Sequence, residues 1–165
     1  MITGKNYIGN QLSADGSVTF KTFNPLLNLE NDRIFNEAST DEINKAVAIA
    51  SEAYKEFSKT SGEKKAAFLH AIADEILALD EVLIATYCSE TGLPEGRARG
   101  ERGRTVGQLR SFAELVKEGA WVEATIDTAQ PDRQPMPKSD IRKMMYALGP
   151  ARDYVTSIYP SAYPF

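Results

Sequence analysis

Two side chains in this sequence have the chemistry of a nucleophile and its base, and each residue type occurs once: Cys88 and His70. A thiol becomes a nucleophile only where a base or an electropositive setting lowers its pKa. Cys88 follows the apolar run Leu83-Ile84-Ala85-Thr86-Tyr87, and there it reads as a small hydrophobe in a helix. His70 lies beside Leu69 and Ile72. Sequence separation alone leaves a Cys88–His70 dyad open, yet no third group is evident to orient the imidazole. A half-buried or surface histidine is the simpler reading.

The remaining candidates are weaker. Arg97, Arg99, Arg102, Arg104 and Arg110 form a basic run, but Glu95, Glu101 and Glu114 are interleaved with it. No aromatic lies among the first four arginines to stack a base. An ion-paired helix face is expected rather than a nucleic-acid surface. Gly96, Gly100 and Gly103 follow no strand and precede no apolar run, so they fail the context of a dinucleotide loop. Histidine, cysteine and carboxylates show no metal-ligand spacing. The residues therefore nominate no catalytic, cofactor-binding or metal site.

The elements that would position such residues are legible. The chain has 165 residues, 42% hydrophobic and 25% charged, with a net charge of −4. That suits one soluble domain with little affinity for nucleic acid or anionic membrane. One cysteine, and an opening without an apolar leader core, point to the cytoplasm. Tyr7-Ile8 and Val18-Thr19-Phe20 read as a hairpin across the turn 13–17. Asn24-Pro25 ends the second strand, and 33–36 is a third. Ser39 and Glu42 have capping-box spacing before the helical recurrence of Ile43, Val47, Ala50, Tyr54 and Phe57. Thr60 and Glu63 repeat the capping signal for a second helix. Asp80 is placed as the cap of a third, ended by Gly92.

A fourth helix is expected over 94–118, with Pro94 at its first position. Gly96, Gly100, Gly103 and Gly107 weaken it, and are expected to let another backbone come close. Its second half carries the stripe Val106, Leu109, Phe112, Ala113 and Val116. Val122, Ala124 and Ile126 alternate with polar residues as in a strand. A loop with three prolines follows (130–138), then a second strand over 140–148. The two strands form a projecting hairpin. The fold class is thus an α+β fragment: an N-terminal β-hairpin, three to four amphipathic helices and a long β-hairpin. Its divisions are 1–120, 121–150 and a tail 151–165.

Several strings resemble the aldehyde dehydrogenase superfamily, and within it the α-ketoglutaric semialdehyde (2,5-dioxovalerate) dehydrogenases. They are Asn6-Tyr7-Ile8-Gly9, Phe23-Asn24-Pro25, the helix 41–57, Glu90-Thr91-Gly92-Leu93-Pro94, Gly100-Glu101-Arg102-Gly103-Arg104-Thr105, Gln108-Leu109-Arg110-Ser111-Phe112-Ala113, Asp140-Ile141-Arg142-Lys143-Met144 and Leu148-Gly149-Pro150. Each is weak alone; their order over 1–150 carries the likeness. The resemblance implies a partial aldehyde dehydrogenase fold, with helices that flank an incomplete Rossmann-type domain. It implies a hairpin, 122–127 with 140–148, that joins a second copy or a full-length relative.

The intact family oxidises an aldehyde to the carboxylate with NAD or NADP. Its cofactor loop, general-base glutamate and nucleophilic cysteine come later in the chain, so no family site residue transfers to this one. After Pro150 the likeness fades. Arg152 and Asp153 stand where an apolar strand is expected. Ile158 stands where an oxyanion-binding asparagine is expected, and it has no hydrogen to donate. That change is what a frameshift, a mis-assigned gene end or a degraded copy would leave. The expectation is an N-terminal part, inactive alone, that binds no cofactor. The alternative is a non-catalytic partner of a full-length relative. Without the rest of the domain, Val47, Ile76, Leu109 and Phe112 are expected to lack part of their burial partner, leaving apolar surface exposed.

Overall fold

The computed structural model describes residues 3–150. The readings placed on Arg152, Asp153, Ile158 and the tail as a whole lie outside the described residues. The fold class is as expected: four helices with three separate two-stranded antiparallel sheets.

The N-terminal pairing differs from the sequence expectation. Strand β1 (Asn6–Ile8) pairs with β2 (Gln11–Ser13), not with 18–20. The two-residue turn between them is Gly9-Asn10, at φ +58° and +65°. Two successive left-handed residues match the twist of a tight hairpin. The chain therefore turns before it reaches the 13–17 run. Strand β3 (Thr19–Asn24) pairs instead with β4 (Leu29–Asn36). Asn24 ends β3 as expected, and its side-chain oxygen accepts from the amides of Leu26 and Leu27. This Asx turn reverses the chain ahead of β4.

Helix α1 (Thr40–Phe57) starts on the expected capping box. The Glu42 amide donates to Ser39 Oγ at 3.2 Å, and the Ser39 amide donates to Glu42 Oε2 at 2.8 Å. Helix α2 (Gly62–Ala78) is capped by Ser61, not Thr60. Ser61 Oγ accepts from the Lys64 amide, while the Thr60 hydroxyl is turned back to the Phe57 carbonyl. Helix α3 (Asp80–Thr91) has no side-chain cap, so Asp80 does not serve as one. Its φ of +39° marks the bend between α2 and α3 instead.

Gly92 ends α3 at φ +70°, and a Cβ there would lie 2.7 Å from the Pro25 ring. Both the left-handed backbone and the approach of the β3–β4 turn exclude a side chain. Helix α4 (Glu95–Glu118) begins one residue after the expected start, with Pro94 as its extended N-cap.

The centre of the molecule is the packing of α2 on α4. Ala73, Val106 and Leu109 are buried there, with Leu69, Ile72 and Ile76 against them. Small residues let the two helices approach: Ala66, Ala73 and Ala113 are all buried. Leu109 is fully buried, which corrects its inclusion among the under-packed residues. Phe112 (51% exposed) and Val47 (48%) do present apolar surface, as do Phe68 and Phe57. Among the described residues no second backbone approaches the glycines of α4. A Cβ at Gly96, Gly100, Gly103 or Gly107 would meet nothing within 4 Å.

A short 3-10 turn (Ala120–Val122) leads to β5 (Thr125–Asp127), which pairs with β6 (Ile141–Lys143). The projecting hairpin is present, but its strands are three residues each and shorter than 122–127 and 140–148. Val122 is held in the 3-10 turn. A Gln130–Lys138 bridge closes the proline-containing loop. Every residue of β5 and β6 is exposed.

Candidate functional site

Cys88 lies half-buried on α3 as a free thiol. His70, on α2, has Nε2 3.4 Å from a Glu114 carboxylate oxygen on α4. Among the described residues no hydrogen bond joins His70 to Cys88. The dyad left open by the sequence is therefore not assembled, and the imidazole is engaged by an exposed surface carboxylate.

The arginine run is an ion-paired face. Arg97 reaches Glu101 at 2.6 Å, Arg104 reaches the same carboxylate at 2.9 Å, and Arg110 reaches Asp74 at 3.0 Å. Arg99 contacts Glu81 at 2.8 Å and Glu95 at 2.6 Å; these two hydrogen-bonded carboxylates push its pKa further up. Arg102 lies 3.5 Å from Asp80, a contact without hydrogen-bond geometry, since its Nη1 is buried and makes no hydrogen bond. With its charges matched locally, the face has little left to offer a phosphate backbone.

A dinucleotide does not fit these residues either. The glycine-rich start of α4 follows α3 and Pro94 rather than a strand, and Glu95 occupies its first turn. A carboxylate there opposes the helix-end field that would hold a phosphate. Among the described residues no group of three His, Cys, Asp or Glu side chains could hold a metal ion. No helix among them is long and apolar enough to cross a membrane.

Two adjoining grooves lie among the concave surfaces of the described residues. One, of about 510 Å³, lies between β1 and α1, with Tyr7 and Ile8 facing Ile43, Ala46 and Val47. The other, of about 680 Å³, is walled by Tyr54, Phe57, Leu115, Val116 and Trp121. Both are chiefly apolar, and neither brings together a nucleophile, a base and an oxyanion donor.

Sequence reasoning missed one group. Glu42 is only 3% exposed. Besides its cap role it accepts from the Ser13 hydroxyl and, at 3.2 Å, from the Asp15 amide. These hydrogen bonds, Ser13 first and then the Ser39 amide, hold its pKa down at about 2. The capping-box spacing was the only signal for it, and that spacing says nothing of Ser13.

The sequence profile described as "Aldehyde dehydrogenase family" matches residues 12–140. Alpha-ketoglutaric semialdehyde dehydrogenase 2 of Azospirillum brasilense is 41% identical over 163 residues, covering 98% of this chain and 31% of the relative. Alpha-ketoglutaric semialdehyde dehydrogenase of Acinetobacter baylyi is 36% identical, covering 97% and 30%. The crystal structure of a NAD-dependent benzaldehyde dehydrogenase from Corynebacterium glutamicum superposes with a TM-score of 0.70 at 18% identity. It covers 79% of this chain and 28% of that one. The chain thus spans under a third of the length of the curated relatives it matches.

Proposed function

This chain belongs to the aldehyde dehydrogenase family, and we propose that it is the N-terminal part of an NAD(P)-dependent enzyme of that family, inactive by itself. The parent reaction is oxidation of an aldehyde, α-ketoglutaric semialdehyde, to its carboxylate in the cytoplasm. The substrate assignment rests on the relatives at 41% and 36% identity.

The observation that carries the inactivity is the setting of Cys88. Oxidation of an aldehyde to an acid by this family's chemistry needs a thiolate, a base and a hydride acceptor held together. Cys88 is half-buried on α3 with no hydrogen-bonded base among the described residues, and the single histidine pairs with Glu114. The chain's contribution to an intact enzyme is then structural: the α2–α4 layer and the apolar grooves beside it supply a face for the remaining polypeptide. The test is to incubate the purified 165-residue chain with α-ketoglutaric semialdehyde and NAD or NADP, and follow the reduced nicotinamide by absorbance. No aldehyde-dependent signal is expected. A clear one would sink the reading.

A second reading is favoured by the hairpin β5–β6. A lone two-stranded hairpin with all its residues exposed is marginal in water, and its free edges are suited to strand addition. The chain would then pair with a second copy or with a full-length relative. Co-purification of tagged chain with the Azospirillum brasilense relative, lost when β6 is deleted, supports this reading. A monomer that ignores the relative rejects it.

A further inference from the structure

The β1–β2 hairpin is held to the body of the chain in an uneven way. Among the described residues its strands pair only with each other, so no sheet ladder there anchors them to β3–β4. On the outer side the ties are the Asn36 amide donating to the Gly4 carbonyl at 2.9 Å, and a long 3.4 Å bond from the Asn6 side chain to the Asn36 carbonyl. On the inner side, Ile8 is buried at 6% exposure. A Cβ at Gly9 would lie 2.8 Å from Ile49 Cδ1, so the hairpin turn rests directly on α1. Between hairpin and helix runs the groove of about 510 Å³, with Tyr7 and Ile8 on one wall, Ile43 and Val47 on the other, and Glu42 on its lining.

Glu42 is the polar fixture of this arrangement. Its carboxylate is shared by three segments: the end of β2 through Ser13, the following turn through Asp15, and the start of α1 through Ser39. A helix cap alone uses one of these. The other two bonds tie down the strand that carries the hairpin. A buried carboxylate that loses such donors faces the full cost of its desolvation, so the three segments are coupled through one side chain.

We propose that Glu42 is a clasp that holds the β1–β2 hairpin as a lid over the apolar groove of α1, and that breaking the Ser13–Glu42 contact lets the hairpin lift while α1 stays folded. Ser13 and Glu42 are positioning residues in this device. The proposal stands on the geometry of this chain alone and does not depend on the family's reaction.

Amide hydrogen exchange on the complete chain tests it, comparing wild type with Ser13→Ala and Glu42→Gln. Ser13→Ala leaves the Ser39 cap intact. Amides of 6–13 are expected to exchange about tenfold faster, as one lost charge-assisted bond implies, with α1 and α2 unchanged. Glu42→Gln is expected to speed the hairpin and the first turn of α1 together. If Glu42→Gln prevents folding, Ser13→Ala decides. Unchanged hairpin exchange in Ser13→Ala overturns the clasp and leaves Glu42 a helix cap. Equal acceleration across every element overturns it too, because the hairpin would then open only with the whole chain.

Discussion

Leu109→Ala is the substitution that most directly tests where this chain keeps its core. Leu109 is fully buried, with Ala73 and Val106 as its buried partners. Truncation removes three carbons, and at about 0.8 kcal/mol per buried CH₂ the transfer loss is about 2.4 kcal/mol. The cavity adds to that, because the neighbours relax only in part. Ala73 and Ala113 have no rotatable side chain to swing into the gap, so the total is placed at about 3–4 kcal/mol. The assay is urea unfolding followed by fluorescence of the single tryptophan, Trp121. With an m-value of about 2 kcal/mol/M, the midpoint should fall by about 1.5–2 M at unchanged slope. Phe112→Ala, three residues on and half exposed, removes only about 100 Å² of presently buried surface and should cost at most about 2.5 kcal/mol, with little cavity cost added. A Leu109→Ala effect no larger than that of Phe112→Ala would refute the α2–α4 interface as the core.

Gly100→Ala and Gly103→Ala should each stabilise the isolated chain by about 0.5–1 kcal/mol, since helical glycine is costly and an added methyl meets nothing. A fall in the urea midpoint would mean that something packs on that face in solution. Glu42 has a folded-state pKa of about 2 against an ordinary 4.5, so its contribution is complete above about pH 4.5 and is lost as the pH falls toward 2. Glu42→Gln should therefore flatten the stability profile between those limits, and coincident profiles for wild type and variant would reject this. Exposed Val47, Phe57, Phe68 and Phe112 should bind a hydrophobic dye strongly and drive concentration-dependent association. Weak dye binding with a sharp thermal transition would contradict it.

What the sequence revealed tracks how local the cause is. The start of α1 was legible because Ser39 and Glu42 satisfy each other's backbone within one turn. The end of β3 at Asn24 and the left-handed Gly92 follow from single-residue chemistry in the same way. The errors arose where two local signals competed. Thr60 and Ser61 are both capping residues, and the structure uses the second. Gly9-Asn10 and the 13–17 run are both turn formers, and the tighter one sets the pairing of β1. Strand lengths near 122 and 144 were overestimated because alternation reports a half-buried surface, and here both strands lie fully exposed.

Of the candidate residues, the arginine run was the most legible. Arg97, Arg99 and Arg104 each came with a carboxylate at helical spacing, and the structure joins them to Glu101 or Glu95; Arg102 and Arg110 instead face Asp80 and Asp74, which no spacing along α4 indicates. The Glu42–Ser13 contact was not legible, because it links residues 29 apart and no periodicity encodes it. The same limit bears on the glycine stripe of α4. Four glycines along one helical face weaken that helix, and nothing among the described residues returns a compensating contact. An added methyl on that face therefore gains helix propensity at no steric cost, which is the physical basis of the Gly100→Ala and Gly103→Ala predictions.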